Sequence, residues 1–252
     1  MTTRLAILLA ACALTPALAP AFAQQAPSDA PARTSLEATA EQAARGEVYR
    51  VVPAGDDAQI AFTSDAPLER FVGESHSARG FAVVGGLTDL VAGAFAVPVT
   101  TITTGIPLRD EHLASDRWLH ADRHPDIRFT LATTRGFTEI RTDHRYTTLV
   151  GDLVGDLTIA GVTRELIAPA TLVFMPESDI TRAEAPGDLI AIRAAFDVRL
   201  DDFGVGASDP ARRTGAVAET IRVQVRLLLS DSDAFAPPTH AARDDAPDAS
   251  GG

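Results

Sequence analysis

The chain predicts an all-β protein: an extended antiparallel β-barrel with one short helix lying across an end. Three observations carry this. Apolar and polar residues alternate with a two-residue period over several long runs, the pattern of strands with one dry face. Helical patterns between these runs are few and no βαβ rhythm appears, which favours antiparallel pairing. Strands of this length would leave long exposed edges unless the sheet closed on itself.

Taken in order, Met1 to Arg4 is a short positive start, Leu5 to Leu18 is mostly Ala and Leu, and Ala21-Phe22-Ala23 before Gln24 has the small-x-small form of a signal-peptide cleavage site. Residues 1–23 thus read as an export signal, and the mature chain is expected outside the cytoplasm. A rival reading takes Leu9-Ala10-Ala11-Cys12 as a lipoprotein box with the anchor on Cys12. The apolar run is too short for a membrane span. With the signal cleaved, the mature chain has no cysteine and no disulfide. Residues 24–45 read as a flexible linker or frayed helix, 46–230 as the folded domain, and 231–252, rich in Asp, Ala and Pro, as a disordered acidic tail.

Within the domain, strand signals run from Val48 to Val52, from Gln59 to Thr63, and from Leu68 to Val84 with Gly73 and Gly80 as places to bend. In Thr88 to Thr104, Val91, Phe95, Val97 and Val99 share a side. Ile127, Phe129 and Leu131 alternate with Arg128 and Thr130, and Gly136 to Ile140 follows on. The clearest pair comes next. Leu149, Gly151, Leu153, Gly155, Leu157 and Ile159 form one face, Ala160-Gly161 breaks the run, and Leu166, Ala168, Ala170, Leu172 and Phe174 continue it, as in a hairpin. Ile190 to Asp201 and Ile221 to Leu229 alternate in the same way. Only Arg109 to Pro125 departs: Leu113, Trp118 and Leu119 have roughly helical spacing, Ser115 and Asp116 are candidate N-caps, and Pro125 is a stop.

The expected inner face holds Leu153, Leu157, Ile159, Leu172, Phe174 and Phe196 beside the small Gly155, Ala168, Ala170 and Ala194. Phe95, Val97, Phe129, Leu131, Val223 and Leu227 join them from neighbouring strands. An eight-stranded barrel is filled by its own side chains or holds one slim ligand, depending on inward residue size. Small residues alternating with large ones on this face suggest a narrow apolar tunnel. Replacing Gly155 or Ala170 by Phe is then expected to block it with the fold intact.

Three motifs in order resemble those of the YceI-like family of bacterial periplasmic proteins. Arg109-Asp-Glu-His-Leu113, with Trp118-Leu119 and His124-Pro-Asp-Ile-Arg-Phe129, is similar to the family's "Arg-Asp-x-His-Leu … Tyr-Pro-x-Ile-x-Phe" stretch. Gly155-Asp-Leu-Thr-Ile-Ala-Gly-Val-Thr-Arg164 is similar to its hairpin, and Asp202-Phe-Gly204 to its turn. The resemblance implies a lipocalin-like barrel in the periplasm that holds an isoprenoid lipid, a polyisoprenoid or an isoprenoid quinone, for storage or transport. Three departures bear on the head group: Thr63 follows Phe62 where His is common, Leu200 stands where the family has Arg, and His124 replaces Tyr.

Burying hydrocarbon is worth ~0.8 kcal/mol per CH₂, so one isoprene unit gains about 3 to 4 kcal/mol relative to water. Relative to a bilayer the gain is near zero, as suits a carrier, and transient membrane contact is expected. Arg109, Asp110 and His112 are candidate head-group contacts, and equally a cluster that caps a helix and satisfies a loop. His120 and His124 have zinc-like spacing but no fixed third ligand, so neither metal nor cofactor is expected. The 252 residues carry a net charge of −12, which argues against nucleic acid as the main partner. No nucleophile elbow, phosphate loop or dinucleotide fingerprint is present, so a binder is expected in place of an enzyme. Two alternatives stay open: a filled barrel acting as a secreted interaction or stress module, and an enzyme acting on an apolar substrate. A monomer and a homodimer fit equally well.

Overall fold

The structure, a computed structural model, describes residues 36–86 and 89–236. The expected signal segment with Cys12, the first part of the expected linker and residues 237–252 of the expected tail lie outside the described residues. Ten strands follow in order: β1 (Glu47–Val51), β2 (Ile60–Asp65), β3 (Arg70–Ser75), β4 (Arg79–Gly85), β5 (Asp89–Pro98), β6 (Asp126–Thr142), β7 (Thr147–Ile159), β8 (Val162–Met175), β9 (Leu189–Arg199) and β10 (Thr220–Ser230). Every pairing is antiparallel. β1 bonds both β4 and β10, closing an eight-stranded barrel of β1 and β4 to β10, and the β2–β3 hairpin joins it along another stretch of β10.

The β7–β8 hairpin runs in unbroken register from Thr147↔Phe174 to Ile159↔Val162. Its two turn residues, Ala160 (φ 48) and Gly161 (φ 79), both take the left-handed conformation that a two-residue turn needs to match strand twist. A side chain at Gly161 would also collide with the His124 imidazole, so the motif's glycine serves two ends. β6 is longer and bends, with register shifts at Leu131/Thr133, Arg135/Thr138 and Glu139/Arg141 against β7. The expected run from Leu68 to Val84 is two strands, interrupted at His76 to Ala78.

β10 changes partner along its length. Near its C-terminal end Leu229 and Ser230 face Val51 and Arg50 of β1, whereas Arg222 to Val225 face Thr63 to Ile60 of β2. At that second level the wall passes through β2 to β3. From β3 it reaches the segment after β5 by one bridge, Glu74↔Thr103, and a 2.7 Å hydrogen bond between the Ser75 and Thr101 hydroxyls.

Three helices are short: α1 (Ala40–Ala43), α2 (Pro107–Ala114) and α3 (Pro210–Arg213). α2 is the expected helix, but it begins before Arg109 and ends where an N-cap was expected. Pro107 occupies the first turn, where its fixed φ costs nothing, and Ser115 leaves the helix (ψ 168) while its hydroxyl donates to the His112 carbonyl at 2.6 Å. Trp118 to Pro125 is therefore a chain of turns. Leu36 and Ala38, in the segment expected as linker, pack on the outer side of β4 and β5 against Phe81, Val83, Ala92 and Ala94.

Candidate functional site

The inside of the barrel is packed at one level and open at another. Cross-strand pairing sets Leu149, Leu172, Ile192 and Leu227 side by side across β7, β8, β9 and β10, all buried, in one core cluster with Phe174, Ile190, Leu229, Tyr49 and Val51. The next rung is small: Gly151, Ala170 and Ala194, followed by Val225. One rung further, Phe196, Val223, Phe62 and Gly73 lie in line on β9, β10, β2 and β3. Here a cavity of about 490 Å³ opens, within the size range of small-molecule sites.

Its lower wall is Leu153, Ala168, Ala194, Val225 and Leu227, its sides include Phe95, Phe129, Leu157, Phe196 and Val223, and β2 and β3 contribute Ile60, Phe62, Phe71 and Gly73. Across the end lie Leu108, Arg109, His112 and Leu113 of α2, with Trp118 and Leu119 behind them. Trp118 is fixed by its indole N–H, which donates to Asp209 Oδ2 at 3.2 Å, while Asp209 also caps α3 through the Ala211 N–H. The side chains of Leu108 (62 %) and Ile106 (48 %) line the cavity and are exposed, so they form part of its rim.

Polar groups on the lining are few and mostly engaged with one another. The Arg109 guanidinium lies 4.3 Å from the centre of the Phe71 ring and is ion-paired with Glu69, so α2 is clipped to the β2–β3 hairpin by stacking and charge together. Arg128 is paired at 2.9 Å with the buried Asp126, which Arg79 also holds at 2.7 Å. Asp110 does not line the cavity. It accepts from the Thr104 N–H and hydroxyl and from the Thr103 hydroxyl, at 2.8, 2.6 and 2.8 Å. Desolvation acts to raise its pKa, and those bonds with the neighbouring Arg109 charge overcome it and hold the carboxyl below the usual range. Asp110 is thus the cluster member that satisfies a loop, while Arg109 and His112 reach the lining.

Eleven of the expected inward residues border the cavity: Phe95, Val97, Phe129, Leu153, Leu157, Ile159, Ala168, Ala194, Phe196, Val223 and Leu227. Leu131, Leu172, Phe174 and Ala170 are in the packed cluster instead. Gly155 is buried but makes no empty space. A Cβ there would stand 2.2 Å from the Thr130 carbonyl oxygen and 2.8 Å from the Phe129 ring, and one at Gly151 would meet Phe137 at 2.7 Å. Aromatic rings cover both glycines, so a Phe at Gly155 disrupts the sheet before it blocks any tunnel. The β2–β3 wall and the Ile102 to Leu108 rim also line the cavity and are not among the expected inward residues. Alternation at Ile60/Phe62 and Phe71/Gly73 was visible, but not that this hairpin inserts beside β10.

His120 and His124 approach edge to face with ring centres 6.3 Å apart, and desolvation, then the nearby Arg123 and His120, push His124 below the ordinary histidine range. Among the described residues no group of three or more His, Cys, Asp or Glu is placed to hold a metal ion.

A closed antiparallel barrel with an apolar hollow at one end defines the class: a lipocalin-like barrel. The chain belongs to the YceI-like family, whose domain matches residues 49–229. Solved structures are similar to the chain at low identity. A polyisoprenoid binding domain from Saccharophagus degradans is 13% identical, with a TM-score of 0.52 over 73% of this chain and 98% of that one. BcnA of Burkholderia cenocepacia is 15% identical (TM-score 0.49; 68% and 95%), and a YceI protein of Campylobacter jejuni is 19% identical (TM-score 0.48; 62% and 82%). No curated protein matches the chain.

Proposed function

We propose that the protein binds the isoprenoid chain of a polyisoprenoid or isoprenoid quinone in the cavity beneath α2, and stores or carries it in the periplasm without chemical turnover. The observation that carries this is the cavity itself: a lining that is mostly hydrocarbon, with few polar residues, chiefly Arg109 and His112 of α2, Glu69, Glu74 and Ser75 of the β2–β3 hairpin, Arg128 of β6 and Asp209. Family membership and the polyisoprenoid binding domain of like fold support the same ligand class. Ile106 and Leu108, with Leu68 (71 % exposed) beside the Glu69–Arg109 clip, give the rim apolar tips suited to brief contact with a bilayer, from which the chain passes at little net cost.

The test is organic extraction of protein purified from its native host, followed by mass spectrometry. A lipid with an isoprenoid chain, recovered at about one per protein, is the expected result. Extracts empty of lipid from several growth conditions would overturn the reading.

A further inference from the structure

We infer that the cavity measures its ligand, accepting a prenyl chain of about four isoprene units and excluding the remainder of a longer one; this rests on the isoprenoid reading above. The hollow does not pass through the barrel. At the level of Leu227, its rung partners Ile192, Leu172 and Leu149 close the bore, and Leu172 and Ile192 are essentially inaccessible. The packed cluster continues from there to Leu229 and Tyr49.

Volume then sets length. An apolar cavity of ~150 Å³ accepts benzene, about 25 Å³ per carbon, so 490 Å³ corresponds to roughly 20 carbons. A chain of eight units would leave about half its length outside. The exposed apolar rim is limited to a few side chains, Ile106 and Leu108 among them, which is too little to cover four further units. The overhang would therefore stay in contact with water or with the membrane it came from. Ala194 sits at the level where open space gives way to packing, since it lines the cavity while pairing with Ala170 of the packed cluster. It is the position that sets how deep a chain reaches.

The experiment offers the purified, delipidated protein prenyl alcohols of two, three, four and eight units in neutral phosphatidylcholine vesicles, and measures what each leaves bound after the vesicles are removed. Chains up to four units are expected to load to similar extents, and the eight-unit chain at least a hundredfold less. Ala194→Leu, checked for an unchanged melting transition, is expected to lower the limit to three units, and Leu227→Ala to raise it. Equal loading of eight and four units would overturn the length limit while leaving the isoprenoid reading in place. Loading of none of the four alcohols would count against that reading itself.

Discussion

Two rungs of the same strands, barely 14 Å apart by strand geometry (about 3.4 Å per residue over four residues of β10, Leu227 to Val223), meet opposite fates. On the first, Leu227 borders the hollow from below while Ile192, Leu172 and Leu149 beside it are packed away from it. On the second, Val223 with Phe196 and Phe62 is only half-buried and borders the hollow, although the two phenylalanines are larger than any side chain of the first. Residue size therefore does not decide where the barrel is empty. What changes between the rungs is the partner of β10: β1, whose Tyr49 and Val51 belong to the packed cluster, gives way to the β2–β3 hairpin, which meets the segment after β5 by one bridge. The packed level is dry enough that burial, aided by the charges of Asp231, Asp188 and Glu47, pushes the Tyr49 hydroxyl up to about 12.

The largest expected effect separates the two levels by stability. Leu172→Ala removes a side chain with no exposed surface and leaves a void its neighbours cannot fill, a loss of about 3 to 4 kcal/mol. Val223→Ala borders space that is already empty, so the loss is about 1 kcal/mol. Urea denaturation of both variants measures the gap, and equal losses would mean that the hollow level is as tightly packed as the other.

Glycines sharpen the contrast. Gly155→Ala drives a Cβ to 2.2 Å from the Thr130 carbonyl oxygen, a backbone atom fixed by the β6–β7 ladder, and is expected to cost about 2 to 3 kcal/mol. Gly73→Ala meets only the Phe62 ring, also at 2.2 Å, and that ring borders the cavity and has room to turn into it. Its expected cost is below about 1 kcal/mol, with a smaller ligand capacity as the price. Melting curves together with lipid loading distinguish the two outcomes.

A smaller effect lies at the base of α2. Asp110→Ala strands three donors of Thr103 and Thr104, an expected loss of about 1 to 2 kcal/mol, much of it recovered in Asp110→Asn. Because the folded carboxyl is held below its unfolded value, this contribution is complete above the unfolded pKa of about 4 and disappears as pH falls through the lower folded pKa. Wild type and Asp110→Ala should thus converge in stability toward about pH 2. A gap that stays constant from pH 7 to pH 2 would show that the loop does not depend on the carboxylate.

How much of this could be read in the chain follows from the range of each interaction. The β7–β8 hairpin was fully legible, because strict alternation from Leu149 to Phe174 around Ala160-Gly161 fixes both its faces and its turn. The barrel followed from strand length. The hollow was only half legible: Gly151 and Gly155 promised space on their own strand, but the rings that cover them come from the neighbouring β6, Phe129 of its regular stretch and Phe137 at a register shift that no alternation pattern encodes. The β2–β3 wall was illegible for the same reason, since nothing within residues 60–75 says that Val223 will be its neighbour. The start of α2 was missed at Pro107, a residue that also closes extended segments.

The smallest effect on stability is expected at the rim, where it should be the largest on exchange. Leu108 is 62 % exposed and makes up part of the mouth, so Leu108→Gln changes folding stability by no more than about 0.5 kcal/mol. On the proposed function its apolar tip is the part of α2 that enters the interfacial region of a bilayer, while the Arg109–Glu69 pair keeps α2 clipped to the β2–β3 hairpin. Taking that tip away leaves the cavity volume and the packed floor as they are. The amount of a four-unit prenyl alcohol bound at equilibrium should therefore stay the same, and its rate of transfer from vesicles should fall severalfold, with Ile106→Gln acting in the same direction. Stopped-flow transfer of a fluorescent prenyl analogue separates rate from extent. A variant that lowers the extent and leaves the rate unchanged would make Leu108 part of the binding wall and move the entrance elsewhere on the open level.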